Sequence, residues 1–175
     1  RYLSLTLFAA FILLSSCAKD ASNVEIIQDK EIKLQMIDAY NEGLEALEYQ
    51  DGLTAAKKFS EAELLFPQSS WAPKSALMAA YSYFSQAYYS DSIYELERFL
   101  KTYPNHPRTD YAYYLLAIAY YDQIVDETKD LNSILKSKKY FKYVIDNYPN
   151  TDYALDANFK IELIDEILAS KEMYI

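Results

Sequence analysis

The sequence predicts an all-α fold built from repeated pairs of helices. Only two glycines and five prolines interrupt its 175 residues, which is too few for the turns of an all-β fold. Three of the prolines, Pro67, Pro104 and Pro149, follow an aromatic residue and stand 37 and 45 residues apart. Each ends a segment whose apolar residues recur with helical periodicity. Such a recurring unit predicts helix pairs that stack into a solenoid.

Small and aromatic residues occupy matching positions in the three units. In the first unit, Ala55, Phe59, Ala62 and Pro67 have the spacing of a tetratricopeptide repeat, and Gly43 is the small residue of its first helix. The later units have, in the same order after their small residue, Ala80 with Ser92, Leu96, Phe99 and Pro104, and Ala117 with Ser137, Phe141, Val144 and Pro149. We therefore predict a right-handed tetratricopeptide-repeat superhelix of antiparallel helix pairs. The alternative is an unrelated all-α bundle.

The repeat register also predicts where the helices begin and end. Within an array at 37–175, the predicted units are 37–68, 74–104, 110–149 and a half repeat at 152–175. Breaks between helices are expected near Gly52 and Ser90 and, because the third unit is longer, in the polar segment Val125–Ser133. Asp110 and Asp152 follow the turns after the second and third prolines and are expected to be helix N-caps.

An apolar run precedes the single cysteine, Cys17. The run at 3–14 is shorter than the roughly 20 residues that a membrane span needs, and it has the length of a signal-peptide core. Leu-Ser-Ser-Cys resembles the lipobox of bacterial lipoproteins, which implies cleavage before Cys17 and lipid attachment to it. Residues 1–16 are thus a predicted signal peptide, and 17–36 a linker that runs into the first helix. The alternatives are an ordinary signal peptide with an incidental cysteine and an uncleaved helical anchor.

Charge and residue types argue against several functions. A net charge of −9 repels nucleic acid, and a single cysteine rules out an internal disulfide framework. His106 is the only histidine and lies in a predicted turn, where we expect it to be structural. The acidic pairs Glu61/Glu63 and Asp126/Glu127 are expected to be solvated surface. We predict no enzyme, no metal site and no cofactor; the rival hypothesis is a periplasmic hydrolase that uses these acidic pairs.

Aromatic residues flank the small residue in the first helix of each unit. In a tetratricopeptide repeat these positions line the concave face, and tyrosine offers a large, rigid contact area with a polar tip. An extended peptide with alternating apolar side chains needs such a surface. The predicted groove residues are Tyr40, Leu44, Leu47, Lys74, Leu77, Tyr81, Phe84, Tyr111, Tyr114, Ile118 and Tyr121, together with Asp122. The alternative is that these tyrosines only pack between adjacent repeats.

The ordered set of these segments resembles the BamD (ComL) family of outer-membrane lipoproteins. A single Tyr-Pro-Asn turn is a weak signal, whereas the whole set behind a lipobox is specific. The resemblance covers the lipobox and most of 39–175. Its segments are Leu14-Ser-Ser-Cys17, Phe66–Phe84, Ile93–Leu100, Tyr103–Leu115, Tyr148–Ala154 and Leu168–Met173.

The resemblance implies a non-enzymatic scaffold on the periplasmic face of the outer membrane, anchored through Cys17. Members of this family help to fold and insert β-barrel proteins. The implied partners are BamA, other subunits of the assembly machinery and the C-terminal strands of unfolded barrel clients. Ala18 after the cysteine favours the outer membrane, because enterobacterial lipoproteins with Asp there stay in the inner membrane. The alternative is a tetratricopeptide lipoprotein that organises peptidoglycan or envelope-division factors.

Length is where the sequence departs from this family. Members have five repeats, whereas this sequence reaches only the first helix of a fourth. We therefore expect the protein to continue after Ile175, and to begin before Arg1 because the sequence lacks an initiating methionine. Without a following helix, the last helix is expected to expose an apolar patch near Ile164, Leu168 and Met173.

Overall fold

The computed structural model describes residues 21–123 and 131–172, and all regular structure in these two stretches is helical. Each helix packs against the next in sequence across short connections, and α3 also contacts α5, as α5 does α7. The helices are α1 (Ala21–Glu48), α2 (Gly52–Leu65), α3 (Ala72–Ser85), α4 (Tyr89–Thr102), α5 (Thr109–Asp122), α6 (Leu131–Asn147) and α7 (Asp152–Glu172). The prediction of an all-α fold is confirmed.

The second helix of each predicted unit buries the residues that define the repeat. All nine small and apolar positions in α2, α4 and α6 are fully buried. They are Ala55, Phe59, Ala62, Ser92, Leu96, Phe99, Ser137, Phe141 and Val144. The repeat spacing therefore gives the correct core-facing side of three successive helices, because residues three or four apart share one face of a helix.

Both glycines lie where two helices approach too closely for a side chain. A Cβ atom at Gly43 in α1 would stand 2.9 Å from the ring of Phe59 in α2. A Cβ atom at Gly52 would stand 2.5 Å from the carbonyl oxygen of Ser82 in α3. Gly43 is thus the small residue that the repeat pattern requires, and the buried Phe59 ring fills the space that it leaves.

The first two breaks between paired helices occur near Gly52 and Ser90, as predicted. Each connection contains one residue with positive φ, Gln50 (φ 59°) before α2 and Ala87 (φ 59°) before α4. These connections also touch, because the side-chain amide of Gln86 donates a hydrogen bond to the carbonyl oxygen of Gln50 (3.0 Å).

The expected loop at Val125–Ser133 is partly wrong. Helix α6 already begins at Leu131, so the last three residues of that segment are helical. Residues 124–130 lie outside the described part of the chain. Polarity alone misplaced this boundary, because an exposed first turn of a helix tolerates the same residues as a loop.

The two expected N-caps are also wrong, Asp152 by one position and Asp110 by two. Helix α7 begins at Asp152 itself, and the hydroxyl oxygen of Thr151 before it accepts a hydrogen bond from the amide of Ala154 (3.2 Å). Asp110 likewise lies inside the first turn of α5, after Thr109. Both carboxylates remain favourable there, since they stand near the positive end of the helix dipole.

The two ends of the described chain refine other expectations. Helix α1 begins at Ala21, so the assigned linker is helical from that residue onward; Cys17 and the predicted signal peptide lie outside the described residues. In α7, Ile164 is fully buried and Leu168 is half-buried against the core around Phe141, which overturns their expected exposure. Met173 is outside the described residues. The large apolar residues that α7 does expose are Leu155, Phe159 and Leu163.

Candidate functional site

Five of the predicted groove residues meet in one cleft of about 490 Å³ between α1, α3 and α5. Three further residues complete its lining. The predicted members are Tyr40, Lys74, Leu77, Tyr81 and Tyr111, and the additional ones are Met78, His106 and Arg108. The cleft therefore draws on all three repeat units, and its residues come from the first helix of each unit and from the turn before α5.

One side of the cleft is apolar and firmly packed. Leu77 and Met78 lie on the same side of α3 as Tyr81, because they stand four and three positions before it. Across from them, Tyr40 makes edge-to-face contacts with Phe59 and Trp71, with ring centroids 5.1 and 5.0 Å apart. These packed rings hold Tyr40 in place, so the wall presents a preformed aromatic surface.

The other side of the cleft carries two positive charges. The ammonium of Lys74 lies 5.2 Å from the ring centre of Trp71, and the guanidinium carbon of Arg108 lies 5.3 Å from that of Tyr111. Arg108 also donates a hydrogen bond to the hydroxyl of Tyr153 (3.2 Å). Neither cation forms an ion pair with any residue that the structure describes.

His106 connects the turn to the cleft. Its Nδ1 atom accepts a hydrogen bond from the backbone amide of Arg108 (3.2 Å), and its ring packs edge-on against Phe99, 5.5 Å between centroids. This confirms its structural role in the turn. Burial, and then the charges of Arg108 and Lys74, hold the pKa of His106 below its ordinary value. The ring is therefore neutral at pH 7, and its proton resides on Nε2 because Nδ1 is an acceptor.

Tyr40 and Tyr111 keep their hydroxyl protons at physiological pH. Burial, followed by the neighbouring Tyr81 and Tyr153, raises the pKa of Tyr111 to about 12. Burial also raises the pKa of Tyr40. Both hydroxyls are thus hydrogen-bond donors as well as acceptors, which suits the backbone carbonyls and amides of a peptide.

The structure does not bring the other seven predicted groove residues to this cleft. Leu47 packs beside Phe59, and Phe84 beside the ring of Tyr89. Tyr114 donates a hydrogen bond to Asp156 (2.7 Å). All but one of the seven are partly buried, and Leu44 is exposed. Their contact with a peptide stays a prediction; the seven are Leu44, Leu47, Phe84, Tyr114, Ile118, Tyr121 and Asp122.

Sequence reasoning missed three lining residues for identifiable reasons. Met78 adjoins Leu77 on the same helical face, so a wider stripe would have included it. His106 and Arg108 lie in the turn, whereas the prediction counted positions only along the helices. The sequence signal that could have found them is their position just before the first helix of the third unit, since the structure places that turn beside Lys74 in the cleft.

Elsewhere, one of the two acidic pairs departs from expectation. Glu63 is not solvated surface: it is buried, and its carboxylate accepts two hydrogen bonds from Arg98 (2.8 and 2.6 Å) and one from the hydroxyl of Tyr103 (2.8 Å). Glu61 is exposed and pairs with Lys58 (3.1 Å). The pair Asp126/Glu127 lies outside the described residues. These three hydrogen bonds give Glu63 a structural role.

Comparison with known proteins assigns a family. Residues 33–175 match the family model YfiO, described as an outer membrane lipoprotein. The chain belongs to the YfiO family. Its relatives include two proteins named outer membrane protein assembly factor BamD. The one from Caulobacter vibrioides is 33% identical over 162 residues, 92% of this chain, and the one from Rickettsia prowazekii is 38% identical over 136 residues, 78% of this chain.

The match to these YfiO-family relatives is partial on their side. The chain spans 52% of the Caulobacter protein and 54% of the Rickettsia protein. Both are named as factors of outer-membrane protein assembly. None of the helices in the described residues combines the length and apolar character needed to cross a bilayer.

Solved structures with the same architecture support the repeat assignment. The tetratricopeptide-repeat domain of Arabidopsis OM64 superposes with a TM-score of 0.58 at 11% identity, over 75% of this chain and 97% of that one. The first such domain of human RPAP3 gives 0.60 at 16% identity, over 82% and 99%. At these identities the likeness concerns the fold alone. The predicted tetratricopeptide-repeat solenoid is confirmed.

Proposed function

We propose that this protein is a lipid-anchored scaffold of the outer-membrane β-barrel assembly machinery, on the periplasmic face of that membrane. It binds C-terminal segments of unfolded barrel clients, together with partner subunits that include BamA. Membership of the YfiO family and the two relatives named as assembly factors support this role. The family and the repeat fold also favour a non-catalytic scaffold over a hydrolase, and they do not favour the envelope-division alternative.

The cleft at Tyr40, Leu77 and Tyr81 is the observation that supports peptide binding. A strand of a membrane barrel alternates apolar and polar side chains, so every second residue requires an apolar contact. The aromatic wall supplies such contacts, and the hydroxyls of Tyr40 and Tyr111 supply polar ones. Because the wall is packed before binding, the protein side chains lose little conformational entropy when the peptide docks.

A matched pair of tyrosine variants tests the peptide-binding role. The probe is a fluorescent peptide of about ten residues, the length of one barrel strand, that alternates apolar residues and ends in Phe. Tyr81→Ala removes an aromatic contact in the cleft, whereas Tyr94→Ala removes a 67% exposed ring on α4 that does not line it. We expect Tyr81→Ala to weaken binding about tenfold or more and Tyr94→Ala to have no effect. Equal effects of the two variants would refute the assignment of this cleft.

The assembly role has a separate test. The lipidated protein is recovered from outer membranes, and the proteins that accompany it are identified. Recovery of BamA and other assembly subunits is the expected result. Recovery of peptidoglycan or division factors instead, without BamA, would favour the alternative scaffold.

A further inference from the structure

The cleft concentrates positive charge in a protein whose net charge is −9. Lys74 and Arg108 both line it without an ion pair among the described residues. Lys58, Arg98, Lys138 and Lys142 have a carboxylate partner. Lys57 and Lys101, like the two cleft cations, have none among the described residues, but they are exposed and lie outside the cleft. A cation that is held in an aromatic cleft and is not neutralised by the protein attracts an anionic ligand group.

His106 adds a third donor to the same place. Lys74, His106 and Arg108 all line the same cleft, and Arg108 stands two positions after His106 in the turn. Because Nδ1 accepts a hydrogen bond from the backbone amide of Arg108, the neutral ring can donate a hydrogen bond to a ligand only through Nε2–H. An ammonium, a guanidinium and an imidazole N–H together match the acceptor capacity of one carboxylate, which has two oxygens and about four lone-pair sites.

We propose that Lys74, Arg108 and His106 bind the terminal α-carboxylate of a client segment, while Leu77 and Tyr81 contact its last side chain. This inference rests on the proposed peptide-binding function, and it specifies how the protein recognises the C-terminal residue of the peptide. The bound segment then has a fixed direction, with its C-terminus at the turn before α5.

The composition of the cleft favours a chain terminus over an acidic side chain. A terminal residue carries its carboxylate and its side chain on the same Cα, so one residue presents an anion and an apolar group together. The cleft matches both groups, because cations and an apolar wall line a single space of about 490 Å³. An internal Asp or Glu presents the anion but no apolar group, and leaves Leu77 and Tyr81 without a partner.

Three peptides that differ only at their end test the proposal. The first ends in Phe with a free carboxylate, the second in Phe amide, and the third in Asp amide. We expect amidation of the Phe peptide to weaken binding to the wild-type protein about tenfold, because charge-assisted hydrogen bonds are lost. In the double variant Lys74→Gln/Arg108→Gln, where only His106 of the three donors remains, most of this preference should be lost. The control, Lys57→Gln/Lys101→Gln, removes the same charge from exposed positions outside the cleft and should keep the tenfold preference.

The other possible results contradict different parts of the proposal. If the acid and amide peptides bind the wild-type protein equally tightly, the carboxylate proposal is wrong, whereas the proposed peptide binding is supported. If the Asp amide binds as tightly as the free acid, the ligand is an acidic side chain and the terminal assignment is wrong. If the double variant keeps the preference, these cations are not the receptor. If no peptide binds at all, the proposed function falls together with this inference.

Discussion

The hydroxyl of Ser137 donates a hydrogen bond of 2.9 Å to the carbonyl oxygen of Ala117, across 20 residues of chain. Ser92 makes the same bond to Ala80, also at 2.9 Å, across 12 residues. Both serines are fully buried at equivalent repeat positions, so each bond joins the two helices of its unit. The longer connection in the third unit therefore leaves the helix contact itself unchanged.

Removal of this hydroxyl should weaken the third unit. Ser137→Ala loses one buried hydrogen bond but opens almost no space, so we expect the free energy of unfolding to fall by about 1 kcal/mol. Ser137→Leu should cost about 1–3 kcal/mol, because the helices have no room for a larger side chain. Urea denaturation followed by circular dichroism measures both, with exposed Ser70→Ala as the neutral control. A Leu variant as stable as wild type would contradict the close approach of α5 and α6.

Gly43 offers a test of the first unit in which two effects oppose each other. Gly43→Ala gains about 1 kcal/mol of helix propensity, but its Cβ stands 2.9 Å from the ring of Phe59. Overpacking costs about 1–3 kcal/mol, so we expect the variant to be less stable overall. The same change in a Phe59→Leu background should be less harmful or stabilising, because the smaller side chain leaves room. Chemical denaturation of the four proteins gives the coupling; simple additivity would mean that the two residues do not clash.

The buried carboxylate should matter far more than its exposed neighbour. Glu63→Ala leaves Arg98 without its bidentate partner and also removes the acceptor of the Tyr103 hydroxyl. Breaking a buried pair costs about 3–5 kcal/mol; because the Arg98 side chain is one-third exposed, we expect the lower part of that range or somewhat less. Glu61→Ala should change stability by less than about 1 kcal/mol. Thermal unfolding compares the two, and equal losses would contradict the structural role of Glu63.

Peptide binding should depend on pH through His106. Burial and the charges of Arg108 and Lys74 lower its pKa, so the free ring is neutral at pH 7.5. A bound carboxylate favours the charged ring and raises its pKa. By linkage, the affinity for the free-acid peptide should rise as pH falls, by roughly two- to fivefold at pH 5.5.

Two controls test whether His106 and the peptide carboxylate cause this pH effect. His106→Gln should abolish the gain, and the amide peptide should show little of it. The same lowered pKa makes the folded state less stable as pH falls below the unfolded value, so circular dichroism must establish that the protein is folded at pH 5.5. An equal gain for the acid and amide peptides would show that another group titrates.

Sequence patterns predicted the core better than they predicted the cleft. The repeat spacing gives the buried face of α2, α4 and α6, because helical periodicity determines which side chains share a face. The same counting grouped Tyr114 with the cleft residues, but the structure places it outside the cleft, with its hydroxyl bonded to Asp156. It also treated Glu63 as surface, since its partner Arg98 stands 35 residues away. Contacts between units depend on the stacking of helices, and local periodicity carries no information about it.

Site-specific photo-cross-linking tests the central claim, that the cleft between α1, α3 and α5 binds client segments. A photoreactive phenylalanine analogue replaces Tyr81 in the cleft or, as the control, Tyr94 on α4, and each protein is irradiated with the Phe-ending peptide. We predict cross-links from position 81 that an excess of unlabelled peptide suppresses, and none from position 94. Cross-links of equal yield from both positions, or from position 94 alone, would contradict the account.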